Sequence, residues 1–322
     1  MTLRFSICIP TYRRANTLRE LLNSLSAQEW LPSIDQFEVV IADNDQLQSA
    51  RSAVASWHSE NPTFEVKYIC IASKGLSFVR NGLLAAARYE NLIFLDDDQL
   101  VTNCFFKSIC DSWATADVKI AAGQFQLKCV FAPEISPTIM PLVRSLLETD
   151  SPESTSEVEY MATCGAIVRR SAIELTGARF SHRLNDIGGE DSQFFYELRK
   201  VGPLVSLKGV QVFERIDLDR STLMYWFFSS LHKGSLFTFV LRMQCRYLKL
   251  LLHLACSPVL LVLILTSLPA LFVFHRVLYR VYLCRLARQF GKLIGWCGYV
   301  PKVYLKGRTS LIKSHSDPTD QN

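Results

Sequence analysis

The sequence predicts an α/β fold, a doubly wound layer on a mostly parallel sheet. Strand-like and helix-like segments alternate four times within the first hundred of its 322 residues, the order that builds a parallel sheet with helices on both faces. The strand-like runs are apolar throughout instead of alternating, as strands buried on both faces are. Each run also stops at polar or acidic residues, and in open α/β sheets the carboxyl ends of the strands line the ligand crevice.

In order, residues 4–10 (RFSICIP) form a strand stopped by Pro10, and 16–28 a helix with Asn16 as N-cap and Leu18, Leu21, Leu22 and Leu25 at helical spacing. Residues 37–42 (FEVVIA) form a second strand ending at Asp43-Asn44-Asp45, followed by a helix to His58. A third strand covers 64–71, and a helix opened by Gly75 covers 76–89. The fourth strand, 91–95, runs into Asp96-Asp97-Asp98. A helix over 102–113 and a strand over 120–127 follow. From 132 to 157 the pattern dissolves into a Pro- and Ser-containing loop with acids at Glu148, Asp150, Glu153 and Glu157, a length at which loops are functional or disordered. A strand over 160–168 comes next, then a helix introduced by Gly188-Gly189-Glu190-Asp191 and carrying Phe194, Phe195 and Leu198.

This division gives a nucleotide-binding layer over 1–240, hydrophobic and basic helices over 241–300, and a flexible basic-then-polar tail over 301–322. No signal peptide is visible: the first ten residues carry one charge and only a short apolar run. The ten cysteines are scattered singly, without zinc spacing, and read as reduced thiols. No GxxxxGK[ST] or strand-linked GxGxxG is present, so any nucleotide is held by another device. The net charge is +5, and no acid occurs between Asp219 and Asp317. That basic interval surrounds a long apolar run and not interleaved stacking aromatics, which points to a membrane surface and away from nucleic acid.

Three adjacent carboxylates repel one another, and a divalent cation with oxygen ligands relieves that repulsion. A solvated acidic turn before the next helix is the simpler alternative. Four features stand at strand ends or at a helix start: Pro10-Thr11-Tyr12-Arg13, Asp43, Asp96-Asp97-Asp98 and Glu190-Asp191. Together, SICIPTYRRANTLRELLNSL, FEVVIADND, GLSFVRNGLLAAA, LIFLDDD and GGEDSQFFYELRKVG resemble the family 2 glycosyltransferases of the GT-A fold over roughly residues 4 to 235. The likeness is greatest to bacterial succinoglycan-type exopolysaccharide glucosyltransferases.

The resemblance implies an inverting hexosyl transfer from a nucleotide-sugar donor to a lipid-linked or glycan acceptor. It implies that Asp96 faces the nucleoside, that Asp98 holds Mg²⁺ or Mn²⁺, and that Asp97 makes no ligand contact. Pro10, Thr11, Tyr12 and Arg13 would line the nucleoside pocket, Asp43 would accept an N–H from the base, and Arg80 would lie near base or phosphates. Asp191 would be the base for the acceptor hydroxyl, oriented by Glu190; alternatively the pair only complements a helix dipole. Two departures stand out. Where relatives carry a further metal-ligating histidine this chain has Glu214, an oxygen donor or a surface ion-pair partner. The processive Gln-x-x-Arg-Trp is missing, leaving Arg220 and Trp226, so a single transfer is expected.

Residues 250–274 are long enough for a membrane helix. Arg242, Arg246 and Lys249 precede them, and Arg276, Arg280, Arg285, Arg288 and Lys292 follow. Basic residues on both sides favour a hairpin or re-entrant segment at the cytoplasmic face of the inner membrane, in contact with its lipids. A core helix is the alternative. A nucleotidyltransferase and a non-catalytic membrane scaffold are the competing functions; the first leaves the Glu-Asp helix start without a use.

Overall fold

The computed structural model describes residues 3–29, 37–60, 64–114, 116–149 and 155–301. Asp150, Glu153 and the tail beyond 301 lie outside the described residues. In chain order the elements are β1 (Phe5–Thr11), α1 (Ala15–Ser26), β2 (Phe37–Asp43), α2 (Arg51–Glu60), β3 (Glu65–Cys70), α3 (Leu76–Ala86), β4 (Asn91–Phe94) and β5 (Gln99–Val101). There follow α4 (Phe105–Trp113), β6 (Ala122–Phe131), α5 (Met140–Leu147), β7 (Ser156–Glu157), β8 (Ala166–Arg169), α6 (Arg170–Thr176), α7 (Glu190–Leu198) and β9 (Leu204–Ile216). The last three are α8 (Leu223–Met243), α9 (Tyr247–Phe274) and α10 (Arg276–Trp296). Two compact units result: one of Met1–Val130, Leu147–Asn185 and Glu190–Arg215, the other of Phe131–Leu146, Asp186–Gly189 and Ile216–Asn322.

In the first unit the sheet order is β3-β2-β1-β4-β8-β6-β9-β5, with β7 on β9. The class is α/β, and parallel pairing belongs to β3, β2, β1 and β4, whose crossovers α1, α2 and α3 permit it. β8 joins β4 antiparallel, and β5 and β7 join β9 antiparallel. Successive side chains of β1 and β2 point to opposite faces. Phe5, Ile7, Ile9, Phe37, Val39 and Ile41 enter one core with α1, α2 and α4. Cys8, Val40 and Ala42 enter the other with α3, α6 and α7. Both faces are therefore covered, which is why these strands are apolar without alternation.

Several boundaries differ from expectation. α1 starts at Ala15 with Arg14 in the N-cap position, and no side chain caps it; Asn16 lies in the first turn. The 132–157 loop contains α5, whose Leu142 and Val143 are buried. The 160–168 strand shortens to β8, and β5 interrupts the approach to α4. All ten cysteines are free thiols.

Besides α5, the second unit contains α8, α9 and α10. α8 and α10 run parallel at backbone contact: a Cβ on Gly234 would lie 2.1 Å from the Arg288 carbonyl oxygen, and one on Gly291 2.0 Å from that of Leu231. Thr238 Oγ1 donates to the Lys292 carbonyl at 2.9 Å. α9 returns antiparallel to both, with the Phe237 and His253 rings 4.9 Å apart, Ser257 Oγ 3.2 Å from Gln289 Oε1, and Phe272 on Tyr279 at 5.2 Å. Pro258 and Pro269 lie inside α9 without ending it. By length and composition α9 can cross a membrane, and only its Leu250, Ser257 and Ile264 are buried.

Candidate active site

Parallel strand ends set the first half of the site. Thr11 at the end of β1 stands opposite Asp43 of β2, and Phe94 of β4 stands opposite Cys8 on the other side. Leu95 still donates to the Cys8 carbonyl, at 3.2 Å, so the chain leaves the sheet at Asp96. A turn then forms in which Gln99 N–H donates to the Asp96 carbonyl and Gln99 Oε1 accepts from Asp96 N–H, both at 3.0 Å. Antiparallel pairing of β5 with β9 sets Glu214 opposite Gln99, and Arg215 N–H donates to the Asp98 carbonyl at 3.2 Å.

The three aspartates have different surroundings. Asp97 turns inward, accepting from Thr11 Oγ1 at 2.8 Å and from Arg14 Nη1 at 3.2 Å. The same Arg14 nitrogen donates to Asp98 Oδ2 at 2.8 Å. Asp96 keeps 36% of its side chain exposed and lies 3.8 Å from Arg80 Nη2. Desolvation pushes its carboxyl up to about 7; Arg80 opposes this, while Asp98, Asp97 and Glu214 add to it. Asp97 is raised to about 6, again chiefly by burial, with Arg14 opposing and Asp98 adding. This crowding of carboxylates offers a set of oxygen donors suited to a hard divalent cation. Among the described residues no group of three or more His, Cys, Asp or Glu is arranged around a common metal position, and Arg14 supplies the counter-charge at Asp98.

The second half comes from α3 and α7. Gly75, with φ +125°, opens α3 where a Cβ would lie 1.6 Å from Asn185 Nδ2; Asn185 Oδ1 in turn accepts from Ser77 N–H at 3.1 Å. That junction fixes the α3 face carrying Arg80. Its Nη1 donates to Glu190 Oε1 at 2.5 Å, with both side chains more than nine-tenths buried. Burial raises the Glu190 carboxyl; Arg80 opposes this and Asp191 adds to it. Arg80 Nε is buried without a hydrogen-bond partner. The adjacent Asp191 accepts from Ser192 N–H at 2.7 Å through Oδ1. Burial also raises the Cys164 thiol, and the fields of Asp96, Glu214 and Asp191 raise it further. Arg80 thus links the acids after β4 to those opening α7.

Other candidates go elsewhere. Asp43, expected to meet a nucleobase, is fully buried. Its carboxylate accepts from Asp45 N–H (2.8 Å), Ala50 N–H (3.1 Å) and Tyr68 Oη (2.6 Å), so it closes its own strand-end loop. Arg13, at φ +53°, points away from Arg14 and pairs with Asp45 at 3.2 Å, beside the exposed Tyr12 ring. Arg220 belongs to the second unit, where its guanidinium carbon lies 5.4 Å from the Trp226 ring centre. Arg80, expected near base or phosphates, meets the carboxylates of Asp96 and Glu190. Asp97, expected to be passive toward ligand, is the anchor of the acidic turn. Arg14, Tyr68 and Cys164 escaped the sequence reading. Two adjacent arginines after a strand were the only signal for Arg14, and the left-handed backbone at Arg13 decides which one turns inward.

The model of the family described as glycosyl transferase family 2 matches residues 6–176. This chain belongs to that family. A relative within reach of this family 2 chain is the succinoglycan biosynthesis protein ExoM of Rhizobium meliloti (strain 1021), 30% identical over 227 residues, 70% of this chain and 71% of ExoM. The validoxylamine A glucosyltransferase of Streptomyces hygroscopicus subsp. jinggangensis (strain 5008) is 30% identical over 121 residues, covering 37% of this chain and 28% of that protein. Among solved structures, the mannosyltransferase PcManGT from Pyrobaculum calidifontis, in complex with GDP-Man and Mn²⁺, superposes with a TM-score of 0.61 at 18% identity over 91% of this chain and 88% of that one. The fold of this family 2 member is GT-A. The match to the family model includes Thr11, Arg80 and Asp96-Asp97-Asp98 but ends before Glu190, Asp191 and Glu214.

Proposed function

We propose that this chain is an inverting, metal-dependent hexosyltransferase that carries a sugar from a UDP-linked donor to a lipid-linked or polysaccharide acceptor in bacterial surface glycan synthesis. The observation that carries this reading is the ion-pair chain Glu190–Arg80–Asp96. It ties a donor-side acid to a pair of acids at a helix start, and inverting transfer needs both: one set for the leaving group and one carboxylate for the attacking hydroxyl.

In this reading Pro10, Thr11, Tyr12 and Arg13 bound the nucleoside pocket, and Asp96 faces the nucleoside. Asp43 would accept an N–H from the base, beside the bonds it already accepts from Asp45, Ala50 and Tyr68. Arg220 is a further donor-binding candidate. Asp98 and Glu214 would hold Mg²⁺ or Mn²⁺, with Arg14 yielding Asp98 to it. When bound, the cation offsets the negative charge that develops on the departing diphosphate. The acceptor hydroxyl oxygen forms its bond to the anomeric carbon while the bond from that carbon to the diphosphate oxygen breaks, its electron pair leaving with the nucleoside diphosphate. Asp191 takes the hydroxyl proton. Glu190, held by Arg80, orients Asp191. Residues 1–240 would do this work, while 241–300 keep the enzyme at the cytoplasmic face of the inner membrane, in contact with lipids.

Release of nucleoside diphosphate across a panel of nucleotide sugars, with and without Mg²⁺ or Mn²⁺, tests the proposal. One donor should be hydrolysed in a cation-dependent way, and Asp98→Asn should weaken cation-dependent nucleoside diphosphate binding by at least the roughly 10- to 100-fold that loss of an outer-shell partner costs. Release of a sugar 1-phosphate in place of the nucleoside diphosphate would mean that the nucleotidyl group is what moves, and would make the chain a nucleotidyltransferase.

A further inference from the structure

A helix that is apolar all round is a core helix or a membrane span, unless it is packed on a basic helix so that the pair forms one amphipathic element at a lipid interface. α9 is not a core helix, because only Leu250, Ser257 and Ile264 are buried. These three recur every seven residues, one narrow seam toward its helical partners. Leu252, Val262 and Val273, on the rest of its circumference, are exposed.

The partners also argue against a span. α10 runs parallel to α8, and α9 returns along both: His253 meets Phe237, Ser257 meets Gln289, and Phe272 meets Tyr279. Any depth of hydrocarbon crossed by α9 is therefore also crossed by α10. α10 carries Arg276, Arg280, Arg285, Arg288 and Lys292 from its first turn to its last but one, with Arg276, Arg285 and Arg288 exposed. It offers no stretch long enough to cross the hydrocarbon without cations facing lipid tails, which is strongly disfavoured.

We infer that α9 lies in the plane of an anionic membrane surface, its seam on α10 and its outer side at the boundary between headgroups and acyl chains. The Arg276, Arg285 and Arg288 side chains of α10 then meet lipid phosphates. The inference rests on the proposed membrane association and specifies its geometry. Charge complementarity selects the occupant: no acid occurs between Asp219 and Asp317, so nothing in that interval opposes an anionic surface.

The test uses the full chain, floated with vesicles of phosphatidylcholine alone or mixed with phosphatidylglycerol. Leu252→Trp, Val262→Trp and Val273→Trp, all at exposed positions, are compared one at a time with the unsubstituted protein for quenching by lipids brominated at several depths. The three sites should report one shared, shallow depth. The triple variant Arg276→Gln, Arg285→Gln, Arg288→Gln should lose about 100-fold in partitioning to phosphatidylglycerol vesicles and change little on phosphatidylcholine alone. A Val262→Trp signal from the bilayer centre with the other two shallow makes α9 a span and overturns the in-plane assignment while leaving membrane association intact. Unchanged partitioning of the triple variant overturns the charge assignment. No flotation with either vesicle overturns both the inference and the membrane reading beneath it.

Discussion

Every residue of β1 and β2 is buried, whereas α9, 28 residues long, buries three. Both segments are apolar runs with few interruptions, so composition does not separate them. In the wound unit β1 and β2 each have a neighbour on both edges and a helical layer on both faces, and their polar backbone and apolar side chains are satisfied within the same unit. In the helical unit the close contact is spent on α8 against α10 through Gly234, Gly291 and Gly295, and α9 receives a single seam. An apolar run becomes core when the topology surrounds it, and becomes a contact surface when the topology leaves it on the outside.

The largest expected effect lies in the wound unit. Asp191→Asn should lower glycosyl transfer by about 10²- to 10⁴-fold, the usual scale for a general base, with donor affinity measured by titration unchanged. Near-normal transfer would reduce the acidic pair to a complement of the α7 dipole, and lost donor binding would move Asp191 to the nucleotide. Next, Arg80→Met should destabilise the wound unit by about 3–5 kcal/mol in denaturant unfolding, because it leaves Glu190 buried without its partner. Adding Glu190→Gln should restore part of that loss, since the two share one interaction; strict additivity would mean that the pair is not coupled.

In the helical unit Gly291→Ala should cost about 1–3 kcal/mol by forcing α8 and α10 apart, read as an earlier unfolding transition with donor binding unaffected. If donor binding falls with it, the two units do not respond separately. The smallest effect is a pH dependence. Because Asp96 is raised to about 7 and Asp97 to about 6, the folded protein holds these protons more tightly than the unfolded chain. The contribution of these two carboxyls to stability, measured in a chelator, should therefore be complete below about pH 4 and be lost as pH rises towards 7. Asp96→Asn should flatten the upper part of that fall; an unchanged slope would place its origin in other groups.

The sequence by itself determined most elements of the parallel half of the wound unit. Apolar runs and leucine spacing depend on local periodicity, and so β1, α1, β2, α3 and β4 were legible to within a few residues. It also located the acids, since a strand's end is visible wherever an apolar run stops. α5 and β5 were not legible: one is short and hidden among prolines, and the other is a three-residue strand held by its pairing with β9 and by Ser24 of α1. Tertiary structure alone decided which side chain meets which. Asp43 and Asp96 look alike as strand-end acids. Asp43 is closed off by Tyr68, 25 residues away on β3, while Asp96 faces Arg80 from α3. Arg13 and Arg14 are neighbours of one type, separated by a left-handed φ that no residue identity announces. The bridge from Arg80 to Glu190 joins residues 110 positions apart. A sequence records periodicity along the chain, whereas the pairing of charges depends on distances that exist only once the sheet has brought its strand ends together.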